Sequence, residues 1–120
     1  SEGIEITEDN FIDLLIHDGT RNITFMGDDT WTVLFPNQFN RAFPYPSFNV
    51  KDLHTVDEGV LAHLLPEMRR DDWHFLVGHF LGVDHCGHRY GPDNDIMTAK
   101  LLQMNRAIDD VVRELDSGAY

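Results

Sequence analysis

Apolar positions along the chain follow two rhythms, helical spacing and short continuous runs, and the two alternate. From Glu8 to His17, Phe11, Ile12, Leu14, Leu15 and Ile16 form a broad apolar face. Gly19 follows where a helix would stop, so a short helix is predicted. Ile23-Thr24-Phe25-Met26 is an unbroken β-prone run closed by the turn formers Gly27-Asp28-Asp29-Thr30, which predicts a buried strand. Between Phe35 and Phe48, Pro36, Pro44 and Pro46 stand among Phe35, Phe39, Phe43, Tyr45 and Phe48, the mark of an ordered loop, not a linker. Thr55-Val56-Asp57-Glu58 has the spacing of a capping box, and Val60, Leu61, Leu64, Leu65 and Met68 continue it as a helical face that Pro66 bends or shortens. Trp73 to Leu81 is apolar apart from His74, Gly78 and His79 and predicts a second buried strand. It runs into Phe80 to Pro92, where Gly82, Gly87, Gly91 and Pro92 predict a tight loop. Asp93 or Asn94 then caps a long helix in which Met97, Leu101, Met104, Ile108, Val111 and Leu115 recur up to Gly118.

Helix, strand, helix, strand, helix is the order of an α/β fold: a mostly parallel sheet with flanking helices, since parallel neighbours need a helix-length connection. At 120 residues and 42% hydrophobic content the chain matches one domain with a moderate core. A formal charge of -12 leaves no basic stripe for a phosphate backbone, so nucleic acid is excluded as a partner. No apolar run approaches the roughly 20 residues that cross a bilayer, and the first residues lack the basic start and apolar segment of a signal peptide, so the chain as given is expected to be soluble. Cys86 is the single cysteine, which rules out an internal disulfide and a thiolate-rich zinc knuckle.

Ligands of open α/β sheets gather at the carboxyl ends of the strands, and two polar clusters fall there: Asp28-Asp29 and Asp84 to His88. Asp84 and His88 offer one hard oxygen and one imidazole nitrogen, a pair suited to zinc or manganese. A metal with an open position needs about three protein ligands. The third would come from elsewhere, or from His85, which is equally eligible as a neighbour of the ligands or a substrate contact. Spacing alone leaves the same loop open to a purely structural role. Asp28 and Asp29 could meet a metal or a substrate ammonium group, but they serve equally well as turn or cap residues. His79, within a strand, reads as a sheet residue. His17, His54, His63 and His74 read as surface or boundary positions. Asn22-Ile23-Thr24 is a glycosylation sequon placed at a strand start. Nothing near Cys86 in sequence would activate its thiol, and no serine or threonine sits in a nucleophile motif.

Thr24-Phe25-Met26-Gly27-Asp28-Asp29-Thr30-Trp31 with Leu34-Phe35-Pro36, then Phe48-Asn49-Val50-Lys51-Asp52-Leu53, Thr55-Val56-Asp57 and His79 through Pro92 resemble, in order, segments of the GPI ethanolamine phosphate transferases. The likeness begins near Asn10. It implies a place in the alkaline phosphatase and nucleotide pyrophosphatase superfamily, with residues 1–120 as an internal part of one alkaline-phosphatase-like catalytic domain that faces the lumen of the endoplasmic reticulum. It also implies two zinc ions, Asp84 and His88 binding one of them. The threonine nucleophile is expected upstream and an Asp-His pair downstream, so no catalytic nucleophile is expected within this chain, which alone would be inactive. The implied reaction moves phosphoethanolamine from phosphatidylethanolamine to a mannose of the GPI precursor glycolipid, the third mannose for the member with the Asp-His-Cys-Gly-His form. A membrane-embedded partner subunit is implied as well. The competing reading is a non-catalytic α/β module that binds a metal or a partner through Asp84, His85 and His88.

Overall fold

The computed structural model describes residues 22–118 and 120. The helix expected over Glu8 to His17 lies outside them. Three strands, β1 (Ile23–Asp28), β2 (Arg41–Tyr45) and β3 (Phe75–His79), form one parallel sheet in the order β2-β1-β3. β1 is the centre. It pairs Thr24 with Arg41 through Asp28 with Tyr45 on one side, and Ile23 with Phe75 through Gly27 with His79 on the other. All six of its residues are buried, as a central strand covered on both faces requires.

Alternation along β1 builds two cores. Ile23 and Phe25 face an aromatic cluster: Phe25 lies 5.0 Å from the Phe39 ring and 5.8 Å from Trp31, and Phe35 closes the group. Trp31, Leu34 and Phe35 reach it from the short helix α1 (Thr30–Leu34) and its end. Met26 faces the other way, onto Val56 and Val60 of α2 (Thr55–Met68), with Phe43, Leu64 and Leu76 around them. α2 lies across all three strands. The helices α3 (Gly82–Tyr90) and α4 (Asp95–Asp116) follow β3 and pack on each other around Leu53, Cys86 and Met97.

The sheet and its flanking helices agree with the α/β expectation, and five local expectations change. The strand expected to be buried over Trp73 to Leu81 is β3, Phe75–His79, which lies at a sheet edge with none of its residues buried. The ordered loop from Phe35 to Phe48 contains β2, an edge strand, where Pro44 with no N–H is tolerated because only one side pairs. α2 is entered differently from the expected capping box: the Asp52 carboxylate Oδ1 accepts from Thr55 N at 3.0 Å and His54 N at 3.2 Å. The largest correction falls on Phe80 to Pro92. Residues 82–90 are helical, and Gly91, with φ at +77°, ends the helix just ahead of Pro92. Proline lies past the last turn, where it terminates a helix without breaking one. Asn94 caps α4 as the sequence predicts, Oδ1 accepting from Met97 N at 2.8 Å. The buried stripe of α4 is Met97, Lys100 and Ala107, whereas Leu101, Ile108 and Leu115 of the expected apolar row are exposed.

Candidate metal-ligand helix

α3 begins three residues beyond β3, at the carboxyl edge of the sheet. Its first turn is held from a distance. Asp57, wholly buried on α2, accepts from Leu81 N at 2.8 Å and Gly82 N at 3.0 Å through Oδ1, capping a helix that is not its own. Lys100 of α4 brings its ammonium to Asp57 Oδ2 at 2.6 Å, an ion pair between side chains 2% and 0% exposed. The same Nζ donates to Gln103 Oε1 at 2.7 Å and lies 3.2 Å from His54 Nδ1. Gly82 is a steric necessity: a Cβ there would lie 2.2 Å from Asp57 Oδ2, 2.3 Å from Lys100 Cε and 2.5 Å from the Leu53 carbonyl.

Once its start is pinned, helical spacing sorts the rest of α3 by face. His85 and Cys86 turn inward. His85 is 6% exposed with Nδ1 3.1 Å from the Asp52 carbonyl oxygen, and Cys86 packs with Leu53 and Met97. Asp84 and His88, one turn apart, face out at 62% and 74% side-chain exposure, with Oδ1 and Nε2 separated by 3.4 Å. His85 therefore does not share a face with them.

The β1 edge carries a second arrangement. Asp28 Oδ1 accepts from Thr30 N at 2.9 Å, and its Oδ2 lies 4.0 Å from His79 Nδ1, a nitrogen that is buried with no hydrogen-bond partner among the described residues. Burial raises the Asp28 pKa, but the nearby Ser47 hydroxyl, the hydrogen bond from Thr30 and the neighbouring His79 outweigh it, leaving the carboxyl below its ordinary value. Asp29 Oδ1 accepts from the Ser47 hydroxyl at 3.0 Å, and its backbone links β2 to α1. Both clusters thus sit at the carboxyl ends of adjacent strands, as the sequence expectation has it. Even so, no group of three His, Cys, Asp or Glu side chains converges among the described residues.

The family profile described as Type I phosphodiesterase / nucleotide pyrophosphatase matches residues 16–119. The chain belongs to that family. It is similar to GPI ethanolamine phosphate transferase 3, catalytic subunit, of Homo sapiens, 53% identical over 112 residues that make up 93% of this chain and 10% of the relative. It is likewise similar to GPI ethanolamine phosphate transferase 3 of Saccharomyces cerevisiae, 43% identical over 117 residues, 96% of this chain and 11% of the relative. To GPI ethanolamine phosphate transferase 2 of Aspergillus oryzae it is 39% identical over 94 residues, 78% of this chain and 11% of that protein. The chain spans about a tenth of the length of these curated relatives. No solved structure matches it.

For a member of this family, the outward pair can be tested for zinc by its own geometry. Two donors each about 2.0–2.2 Å from a tetrahedral ion stand roughly 3.3–3.6 Å apart. Asp84 Oδ1 and His88 Nε2, at 3.4 Å and open to solvent, stand at that spacing. Three residues position the helix that carries them: Asp57 and Gly82, which the sequence marks only as capping-box and loop residues, and Lys100, which the sequence reading passes over. Lys100 left one trace, a lone cation three residues after Met97 and seven before Ala107 on the face that the helix buries.

Proposed function

We propose that this chain contributes to a zinc-dependent transferase that moves phosphoethanolamine from phosphatidylethanolamine to a mannose of the GPI anchor precursor. The third mannose is the acceptor favoured by similarity to the third transferases. The reading puts the domain on the lumenal side of the endoplasmic reticulum membrane, with a membrane-embedded partner subunit and two zinc ions in the intact protein. The observation that carries it is the exposed pair Asp84 and His88, 3.4 Å apart on a helix clamped at its start.

When bound, zinc would polarise phosphoryl oxygens and activate an oxygen nucleophile. The residues of this chain supply position. A helix turn fixes the backbone positions of the two donors, so only their side chains are left to be ordered when they close on an ion. His85 anchors the opposite face of the same turn through the Asp52 carbonyl. The net charge of -12 is compatible with the reading, because the donor headgroup is zwitterionic, the acceptor is an uncharged hydroxyl, and the ions offset the acidity locally.

In the full-length protein, Asp84→Ala and His88→Ala should each abolish transfer and lower the zinc content while expression stays normal. Wild-type transfer and zinc content in both variants would remove the pair from the metal site.

A further inference from the structure

Eight lysine and arginine side chains lie among the described residues, and five are ion-paired: Arg41 with Glu67, Arg69 with Glu114, Arg70 with Asp72, Lys100 with Asp57 and Arg113 with Asp109. Lys51, Arg89 and Arg106 have no carboxylate within 4 Å among the described residues. Two of these three meet at one place. A cavity of about 490 Å³ between the loop before α2 and the last turn of α3 is lined by Val50, Lys51, His88 and Arg89. The Arg89 guanidinium stacks on the Tyr90 ring at 5.0 Å, which steadies the cation without neutralising it. On the loop side, Val50 lines the same cavity and is 53% exposed, and Phe48, two residues before it, is 73% exposed, in a chain of net charge -12.

The geometry points to a phosphoglyceride subsite: Lys51 and Arg89 hold the anionic phosphodiester next to His88, and Phe48 and Val50 meet the acylglycerol end. A cation pair is the complement of a phosphate, Arg being suited to its oxygens through a fork of N–H donors. An apolar lip is the complement of acyl chains and has no use for inorganic phosphate. The inference rests on the phosphoethanolamine-transfer reading and names the residues that would recognise its donor.

Calorimetric titration of the full-length protein in detergent tests it, with dihexanoylphosphatidylethanolamine, glycerophosphoethanolamine and inorganic phosphate as probes. Lys51→Gln/Arg89→Gln should weaken the lipid and the glycerophosphodiester by on the order of tenfold or more. Lys51→Arg/Arg89→Lys, which keeps both charges, should hold the lipid more tightly than the glutamine variant does. Phe48→Ser/Val50→Ser should weaken only the acylated probe. Unchanged lipid affinity in the glutamine variant overturns the subsite, and so does inorganic phosphate binding as tightly as the lipid. The transfer reading fails separately, through normal activity of the Asp84 and His88 variants.

Discussion

Replacing Lys100 by methionine is the sharpest perturbation of the clamp, because it removes a charge while nearly keeping the shape of the side chain. Lys100 and Asp57 are 2% and 0% exposed, so water cannot take over from the lost ammonium. Breaking a buried pair from one side costs about 3–5 kcal/mol, most of it the energy of the charge left behind. Asp57 would retain Leu81 N and Gly82 N on Oδ1, two hydrogen bonds that still solvate its charge, which places the cost near the lower end, about 3 kcal/mol. The ammonium meets Oδ2 as an ion pair, and the hydrogen bond it donates to Gln103 Oε1 is lost with it. Against a total stability of about 5–15 kcal/mol, this is a large fraction. Urea unfolding followed by circular dichroism reads it as a fall in midpoint at constant slope. Asp57→Asn/Lys100→Met removes both charges and keeps an acceptor for the two amides, so it should be more stable than Lys100→Met alone. A cost below about 1 kcal/mol for Lys100→Met, or a double variant that equals the sum of the singles, would refute the reasoning.

Gly82→Ala should destabilise by about 1–3 kcal/mol, since the new methyl overlaps Asp57, Lys100 and the Leu53 carbonyl at once. Thermal melting measures it, and a wild-type melting temperature would mean the α3 entry is looser than described. For pH, hydrogen bonds from the Thr55 hydroxyl and N–H outweigh burial and hold the Asp52 carboxyl below its ordinary value. Asp28 is lowered as well, burial being outweighed by its hydrogen bonds. A carboxyl with a folded pKa below its unfolded value of about 3.9 stabilises fully above that value and loses the contribution as pH falls through the folded one. Stability should therefore drop below about pH 4, and Asp52→Asn should flatten that acid limb in urea titrations run from pH 6 to pH 2.

What the sequence made legible was whatever is encoded locally. β1 announces itself by an unbroken β-prone run, and α4 by Asn94 followed by periodic apolar residues. β2 was hidden because Pro44 argues against a strand unless the strand is known to be an edge, and edge position is a property of the sheet. α3 was hidden for a related reason. Its glycines and following proline read as a loop, and the residue that caps it, Asp57, lies on another helix 25 positions from Gly82. Spacing placed Asp84 and His88 together but could not say that His85 points away, because a loop has no fixed faces and a helix does.

The change from loop to helix alters the physical argument about the site. Donors carried on a flexible loop would have to be ordered by the ion itself, and part of the binding energy would go into that ordering. Here the ordering is done beforehand by groups that never reach the surface: Asp57 fixes the entry, Gly82 lets it close, Lys100 balances the charge, and His85 and Cys86 seat the inner face. Asp84 and His88 then emerge on one side, from backbone positions one helical turn apart. A polar network this deep costs desolvation energy that an apolar core of the same volume would avoid. That cost is intelligible where the outer face of the helix must hold one orientation, which makes the buried Asp57–Lys100 pair part of the explanation of the exposed one.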